Sequence, residues 1–373
     1  MVRIALLGLI VSSLVAAQTA STPLALEKEG KWAEAVQAWQ AVTRQNPKDA
    51  KAFASMGVDL SRLERFQEAA SAYKKALALN PHLPGIHLNL GLAEFKLGKF
   101  SDAIHPFNVV LVADPKNLQA RTLLGLSYYG AKQFPDAIKQ LSAASKAQPD
   151  NDGLHGVLAQ SCLWAKEYEC AQAEFRLMAQ RNPDSPTVHS LLGQALDGLG
   201  RTPEAIAEFQ QAIQAGPSEP GLHFGLGYLY WKSNQYEQAE KAFQTELALD
   251  PGNAQSLAYL GNIAIKQERP NDAVPLLQKA IDLNPDIRIA YIDLGVVLTQ
   301  QKNYAEAVKA LQRAVELDPN RSDAHYRLGN VYKAMGNAKA AQEEFAKVRA
   351  LQENPKEDLV QKMSNAPPAL DKP

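Results

Sequence analysis

Two cysteines and seven histidines are the side chains of this 373-residue chain best suited to chemistry. Cys162 and Cys170 flank one turn at equal distances. If that turn joins two antiparallel helices, the pair lies at one height and can close as a disulfide in an oxidising compartment. The other reading is two small buried residues, since free cysteine packs well in cores. Bridged Cα atoms must come within roughly 7 Å. Packed helix axes stand about 8–10 Å apart, so both readings stay open. The spacing is not Cys-x-x-Cys, which argues against a catalytic redox pair. Five histidines share one register of a 34-residue spacing: His87, His155, His189, His223 and His325. A zinc site needs three or four ligands converging at roughly 2.0–2.1 Å. Equivalent residues of successive repeats are too far apart for that, so the histidines read as structural and no metal or other cofactor is assigned. No Gly-rich phosphate loop, Gly-x-Ser-x-Gly or His-Glu-x-x-His is present. No catalytic residue is assigned, and the chain reads as non-enzymatic. Net charge is −1 with both signs well mixed. Nucleic acid, which needs a basic stripe, is therefore not an expected partner.

The elements carrying these residues are announced by proline. Pro47, Pro81, Pro115, Pro149, Pro183, Pro217, Pro251, Pro285 and Pro319 recur every 34 residues. A fixed period of this length signals stacked helix–turn–helix units. With this proline numbered position 32, repeat one starts at Ala16. Position 20 is alanine in all ten repeats, from Ala35 to Ala341. Position 8 is glycine in repeats two to ten except for Ala159. Small residues at fixed points mean that two helices approach closely there, where a larger side chain would cost roughly 1–3 kcal/mol. Position 7 is apolar, position 24 is bulky (Tyr73, Phe107, Phe175, Phe209, Phe243) and position 17 is often aromatic. These give each helix an apolar stripe. Gly30, Gly98, Gly200, Gly336 and Asn234 suit the left-handed residue that ends the first helix of a pair. Asp49, Asn117, Asn151, Ser185 and Asn253 stand where N-caps belong. Pro84, Pro186 and Pro220 are expected in first helical turns.

Leu-Gly at positions 7–8, Ala at 20, a large residue at 24 and Pro at 32 resemble the tetratricopeptide repeat family over about nine-tenths of the chain. The resemblance implies an all-α, right-handed superhelical solenoid of helix–turn–helix repeats. Position 4 departs from the family's tryptophan, holding histidine in five repeats. In the family, the first helix (A) of each pair lines the concave side. By that resemblance Phe95, Tyr129, Trp164, Phe224, Tyr228, Trp231 and Tyr259 point into the groove, with Gln160, Gln194, Asn262, Lys232 and Lys266 as polar companions. Large exposed aromatics suit binding hot spots; the bland alternative is that they fill gaps between neighbouring A helices. Only fragments of the family's Lys/Asn carboxylate clamp occur (Lys51, Asn330, Arg327). Gly85-Ile-His87, Gly153-Leu-His155 and Gly221-Leu-His223 recur every 68 residues, which suggests duplication of repeat pairs.

Residues 1–17 read as a signal peptide, with Arg3 before an apolar core and Val15-Ala16-Ala17 before the cleavage point. The apolar run is shorter than the ~20 residues that span a bilayer. The expectation is an exported protein, periplasmic or secreted, without stable membrane insertion after cleavage; a retained anchor is the minority reading. Residues 18–355 form the array, with a partial first repeat and nine full repeats over 50–355. Residues 356–373 are a short capping segment and a proline-rich tail expected to be disordered. The expected function is a scaffold that holds a peptide or partner protein in an aromatic-lined concave groove. The alternative is a glycan or small-molecule binder of the cell envelope. Self-association stays open.

Overall fold

The computed structural model describes residues 22–351, and all the regular structure among them is helical. The signal-peptide and C-terminal-tail readings lie outside the described residues. A short α1 (Pro23–Lys28) and α2 (Trp32–Gln45) form the partial first repeat. Nine hairpins follow. Their A helices are α3 (Ala50–Arg62), α5 (Ile86–Lys96), α7 (Leu118–Gly130), α9 (Asp152–Trp164), α11 (Pro186–Gly198), α13 (Leu222–Lys232), α15 (Ala254–Lys266), α17 (Arg288–Gln300) and α19 (Ser322–Ala334). Their B helices are α4 (Phe66–Leu79), α6 (Phe100–Ala113), α8 (Phe134–Ala147), α10 (Tyr168–Arg181), α12 (Thr202–Ala215), α14 (Tyr236–Leu249), α16 (Pro270–Leu283), α18 (Tyr304–Leu317) and α20 (Ala338–Ala350).

The chain divides into two compact units at Gln140–Leu141. The first has a core that includes Val36, Leu60, Tyr73, Ile86 and Leu90. One core of the second includes Leu257, Leu277, Ile287, Leu294 and Val297. In each unit successive A helices touch one another, while successive B helices stay farther apart. The A helices therefore make the closer-set wall.

Sequence chemistry explains where helices begin and end. Asp49, Asn117, Asn151, Ser185 and Asn253 each accept from the backbone N–H three residues on, at 2.9–3.3 Å. Each satisfies one of the donors that a helix start leaves orphaned. Between A and B helices the chain passes through a left-handed residue. Gly98 does so at φ 71°, and the following Lys99 N–H closes on the Glu94 carbonyl at 2.9 Å. Glu64, Lys132, Lys166, Glu268 and Lys302 adopt the same conformation without glycine. Pro186 opens α11 as expected. Pro84 and Pro220 do not open helices. Each precedes a left-handed glycine N-cap, Gly85 (φ 74°) or Gly221 (φ 85°), which delays α5 and α13 and shortens each to 11 residues. Gly153 lies inside α9 instead, so the 68-residue pattern does not mark one shared structure.

Close packing explains position 8. An added Cβ at Gly57, Gly193 or Gly227 would stand 2.5, 2.7 or 2.8 Å from the ring of Tyr73, Phe209 or Phe243. Those rings are almost fully buried. Glycine lets the ring lie directly on the A-helix backbone.

Candidate functional site: the A-helix wall

The seven candidate aromatics separate into two groups. Phe224, Tyr228 and Tyr259 are only 4, 4 and 1 % exposed. They pack with Phe243 and Trp231, ring centroids 4.9–6.0 Å apart. These three fill the space between α13, α14 and α15, so their place is inside the wall rather than on it. The cause is local. Gly225 lets the Phe209 ring of the preceding repeat lie against α13, and Tyr259 of the next repeat packs on Phe224 from the other side.

The other four reach solvent. Trp164 is 41 % exposed. Position 13 in the repeats before and after it holds Gly130 and Gly198, each pressed against an aromatic ring of the preceding repeat, Phe100 or Tyr168. Tryptophan at that register stands proud of the helix. Trp231 is half-buried, stacked on Tyr228 at 5.8 Å. Phe95 and Tyr129 are half-buried, each edge-on to the ring that starts its B helix, Phe100 at 5.4 Å and Phe134 at 6.0 Å. Burial raises the Tyr129 phenol above its ordinary pKa.

A polar line crosses the wall of the second unit. Trp231 Nε1 donates to Asn262 Oδ1 at 2.8 Å, and Asn262 Nδ2 donates to Asp293 Oδ2 at 2.9 Å. Each step is 31 residues, one repeat less about one helical turn. Burial pushes the Asp293 carboxyl up to about 6, against the opposing pull of the Asn262 hydrogen bond, Arg327 and Lys266. Beside this line Lys232 Nζ meets Asp197 Oδ1 at 2.6 Å. Asp197 is 3 % exposed and its second oxygen has no hydrogen bond. Lys232 and Asn262 were expected as polar companions; Asp197 and Asp293 were not. The signal that finds them is a separation of 31 or 35 residues, which sequence periodicity at 34 hides.

Position 4 is more than a filled gap. His155 Nδ1 lies 2.6 Å from Glu174 Oε2 while its Nε2 faces the Pro149 carbonyl at 3.0 Å. His189 repeats this with Glu208 (2.7 Å) and Pro183 (2.8 Å), and His325 with Glu344 (2.6 Å) and Pro319 (3.4 Å). Arg121 does the same with Gln140 and Pro115. In each case two acceptors face two nitrogens of one side chain, which bridges the B helix and the preceding proline turn. His87 has Pro106 where the carboxylate would be. Burial, then His105 and His82, hold His87 below its ordinary pKa.

Cys162, wholly buried in α9, and Cys170, half-buried in α10, have Cα atoms 5.7 Å apart and sulfurs at bonding distance. Asp59, beside Glu27, has its carboxyl pushed up to about 6, from burial first and Glu27 second. Asp59 is 1 % exposed, so no substrate reaches it. No helix of the described residues is long and apolar enough to cross a membrane.

Helix hairpins recurring every 34 residues, most with a position-8 glycine seated on a side chain of their own B helix and all with a left-handed turn between the two helices, define a helical repeat solenoid. The chain belongs to the tetratricopeptide repeat family: two models of that repeat match residues 54–117, 190–254, 224–269 and 259–322, and residues 128–195 and 298–362. No curated protein matches it. Among solved structures it is similar to YrrB, a TPR protein (25 % identity, 51 % of this chain and 97 % of that one, TM-score 0.39). It is also similar to MamA from Desulfovibrio magneticus RS-1 (23 %, 44 % and 94 %, 0.40). A chain of the APC/C hetero-tetramer Cut9–Hcn1 matches over 92 % of this chain and 82 % of its own, at 16 % identity and TM-score 0.53, a likeness of fold alone.

Proposed function

We propose that this protein is an exported, non-enzymatic scaffold whose A-helix wall holds an extended peptide segment or a partner protein. Stacked repeats offer long continuous surfaces of this kind. The observation that carries the reading is Trp164, a large aromatic 41 % exposed on an A helix where the flanking repeats carry glycine. Trp231 is the second anchor, its indole oriented by Asn262. Phe95 and Tyr129 offer smaller patches. Phe224, Tyr228 and Tyr259 act from beneath, holding Trp231 in place. A rigid aromatic with a fixed polar edge gives contact area at low entropic cost.

The class of ligand is tested by presenting immobilised protein with a peptide library in the presence of mixed oligosaccharides. Peptide retention that sugars do not displace supports the reading. Displacement by sugars, or no retained peptide, overturns it in favour of glycan binding or another surface.

A further inference from the structure

Repeat five breaks one rule that its neighbours keep. In repeats six and seven a bare glycine, Gly193 or Gly227, lies against the position-24 ring with no room for a Cβ. Repeat five has Ala159 there, fully buried, and its position-24 ring is Phe175, 1 % exposed. The added methyl group forbids the same close seating of A helix on B helix. The A helix is also weak in itself. Gly156 lies in the interior of α9, and interior glycine destabilises a helix. An added Cβ at Gly156 would meet nothing closer than Met178 Cε at 3.5 Å, so packing does not require glycine there. The turn to α10 passes through Lys166 in the left-handed region at φ 63°, as the turn of repeat four does through Lys132. Non-glycine residues enter that region at a cost.

The same repeat brings two cysteines together. Cys162 in the last turn of α9 and Cys170 in the first turn of α10 have Cα atoms 5.7 Å apart. We infer that a Cys162–Cys170 disulfide is the condition on which the repeat-five hairpin stays closed, making this repeat a redox-dependent element of the array. The bond straps the turn end of the hairpin, beyond the Ala159 contact and away from Gly156, which lies toward the opposite end of α9. Cys162 is sealed in the core, and Cys170 is the end that an entering thiol can reach. A thiolate of a dithiol reductant attacks Cys170 Sγ, the S–S bond breaks, and Cys162 leaves as a thiolate that takes a proton. The reductant's second thiol then releases Cys170 and departs as a disulfide, so two electrons and two protons pass to the cysteines. The inference stands on repeat five alone and does not require the A-helix wall to bind anything.

The test uses the full chain. Intact mass under non-reducing conditions should be about 2 Da below that of the same chain after dithiothreitol, the mass of two hydrogens. Hydrogen exchange is then followed in α9 and α10, with α11 and α12 as the internal reference. Reduction is expected to speed exchange at least ~10-fold in α9 and α10 and to leave α11 and α12 within about twofold. Cys162→Ala with Cys170→Ala should reproduce the effect without reductant, and Gly156→Ala on that background should restore part of the protection. Two free thiols in the oxidised chain, unchanged exchange on reduction, or equal loss of protection in both hairpins would each overturn the inference. Reduction of the unmutated chain gives the answer even if the double variant does not fold.

Discussion

Trp231 Nε1 donates to Asn262 Oδ1 across 2.8 Å, tying α13 to α15 through side chains 31 residues apart. Asn262 in turn donates to Asp293 on α17. One tryptophan edge is thereby fixed by a line of side chains from three repeats. The line ends on a carboxyl that burial pushes up to about 6. A free aspartate titrates near 3.8, so the folded state holds its proton more tightly than the unfolded state does. The sign follows from linkage: this group's stability is fully present below about pH 4 and is lost as pH rises to about 6.

Asp293→Asn should therefore raise stability at pH 7.5 by about 1–3 kcal/mol, since two pKa units correspond to about 3 kcal/mol. At pH 4 the gain should vanish. Urea denaturation at the two pH values measures this. A variant less stable than the parent at pH 7.5 would show that Asp293 is held charged by Lys266 and Arg327.

The position-4 ties predict unequal costs for one substitution. His189→Ala removes the contacts to Glu208 and to the Pro183 carbonyl, and should cost about 1–2 kcal/mol. His223→Ala should cost less, because Ala242 stands where the carboxylate would be. Urea midpoints compare the two. Equal losses would mean that histidine at this position acts by packing alone.

Glycine to alanine should change sign with position. Gly227→Ala puts a Cβ 2.8 Å from the Phe243 ring and should destabilise by roughly 1–3 kcal/mol. Gly156→Ala meets only Met178 Cε at 3.5 Å and should stabilise by about 0.5–1 kcal/mol. Thermal melts of the two variants check the contrast.

The fold was legible because its causes are local. Each proline turn, N-cap oxygen and position-8 glycine acts within its own hairpin, and the five proposed caps accept the expected N–H groups. Turns without glycine, such as Glu64 and Lys302, were not legible, since tertiary packing imposes a conformation those residues do not prefer. The wall was only half legible. Helical register says which side of a helix a residue is on, but not whether the next repeat covers it. Tyr259 and Trp164 both fall at groove registers, yet one is 1 % and the other 41 % exposed. The difference lies in neighbours a whole repeat away. The Trp231–Asn262–Asp293 line was hidden for the same reason, because it depends on how successive A helices are offset.

The central claim is that the A-helix wall, through Trp164 and Trp231, does the binding. The most direct measurement is comparative capture from an extract of the source cells on immobilised parent chain and on Trp164→Ala with Trp231→Ala, each matched for helical circular dichroism. The account predicts that a partner held by the parent is lost, or weakened at least ~10-fold, in the double variant, as removal of hot-spot aromatics does. Equal capture by both chains at equal helicity would contradict it.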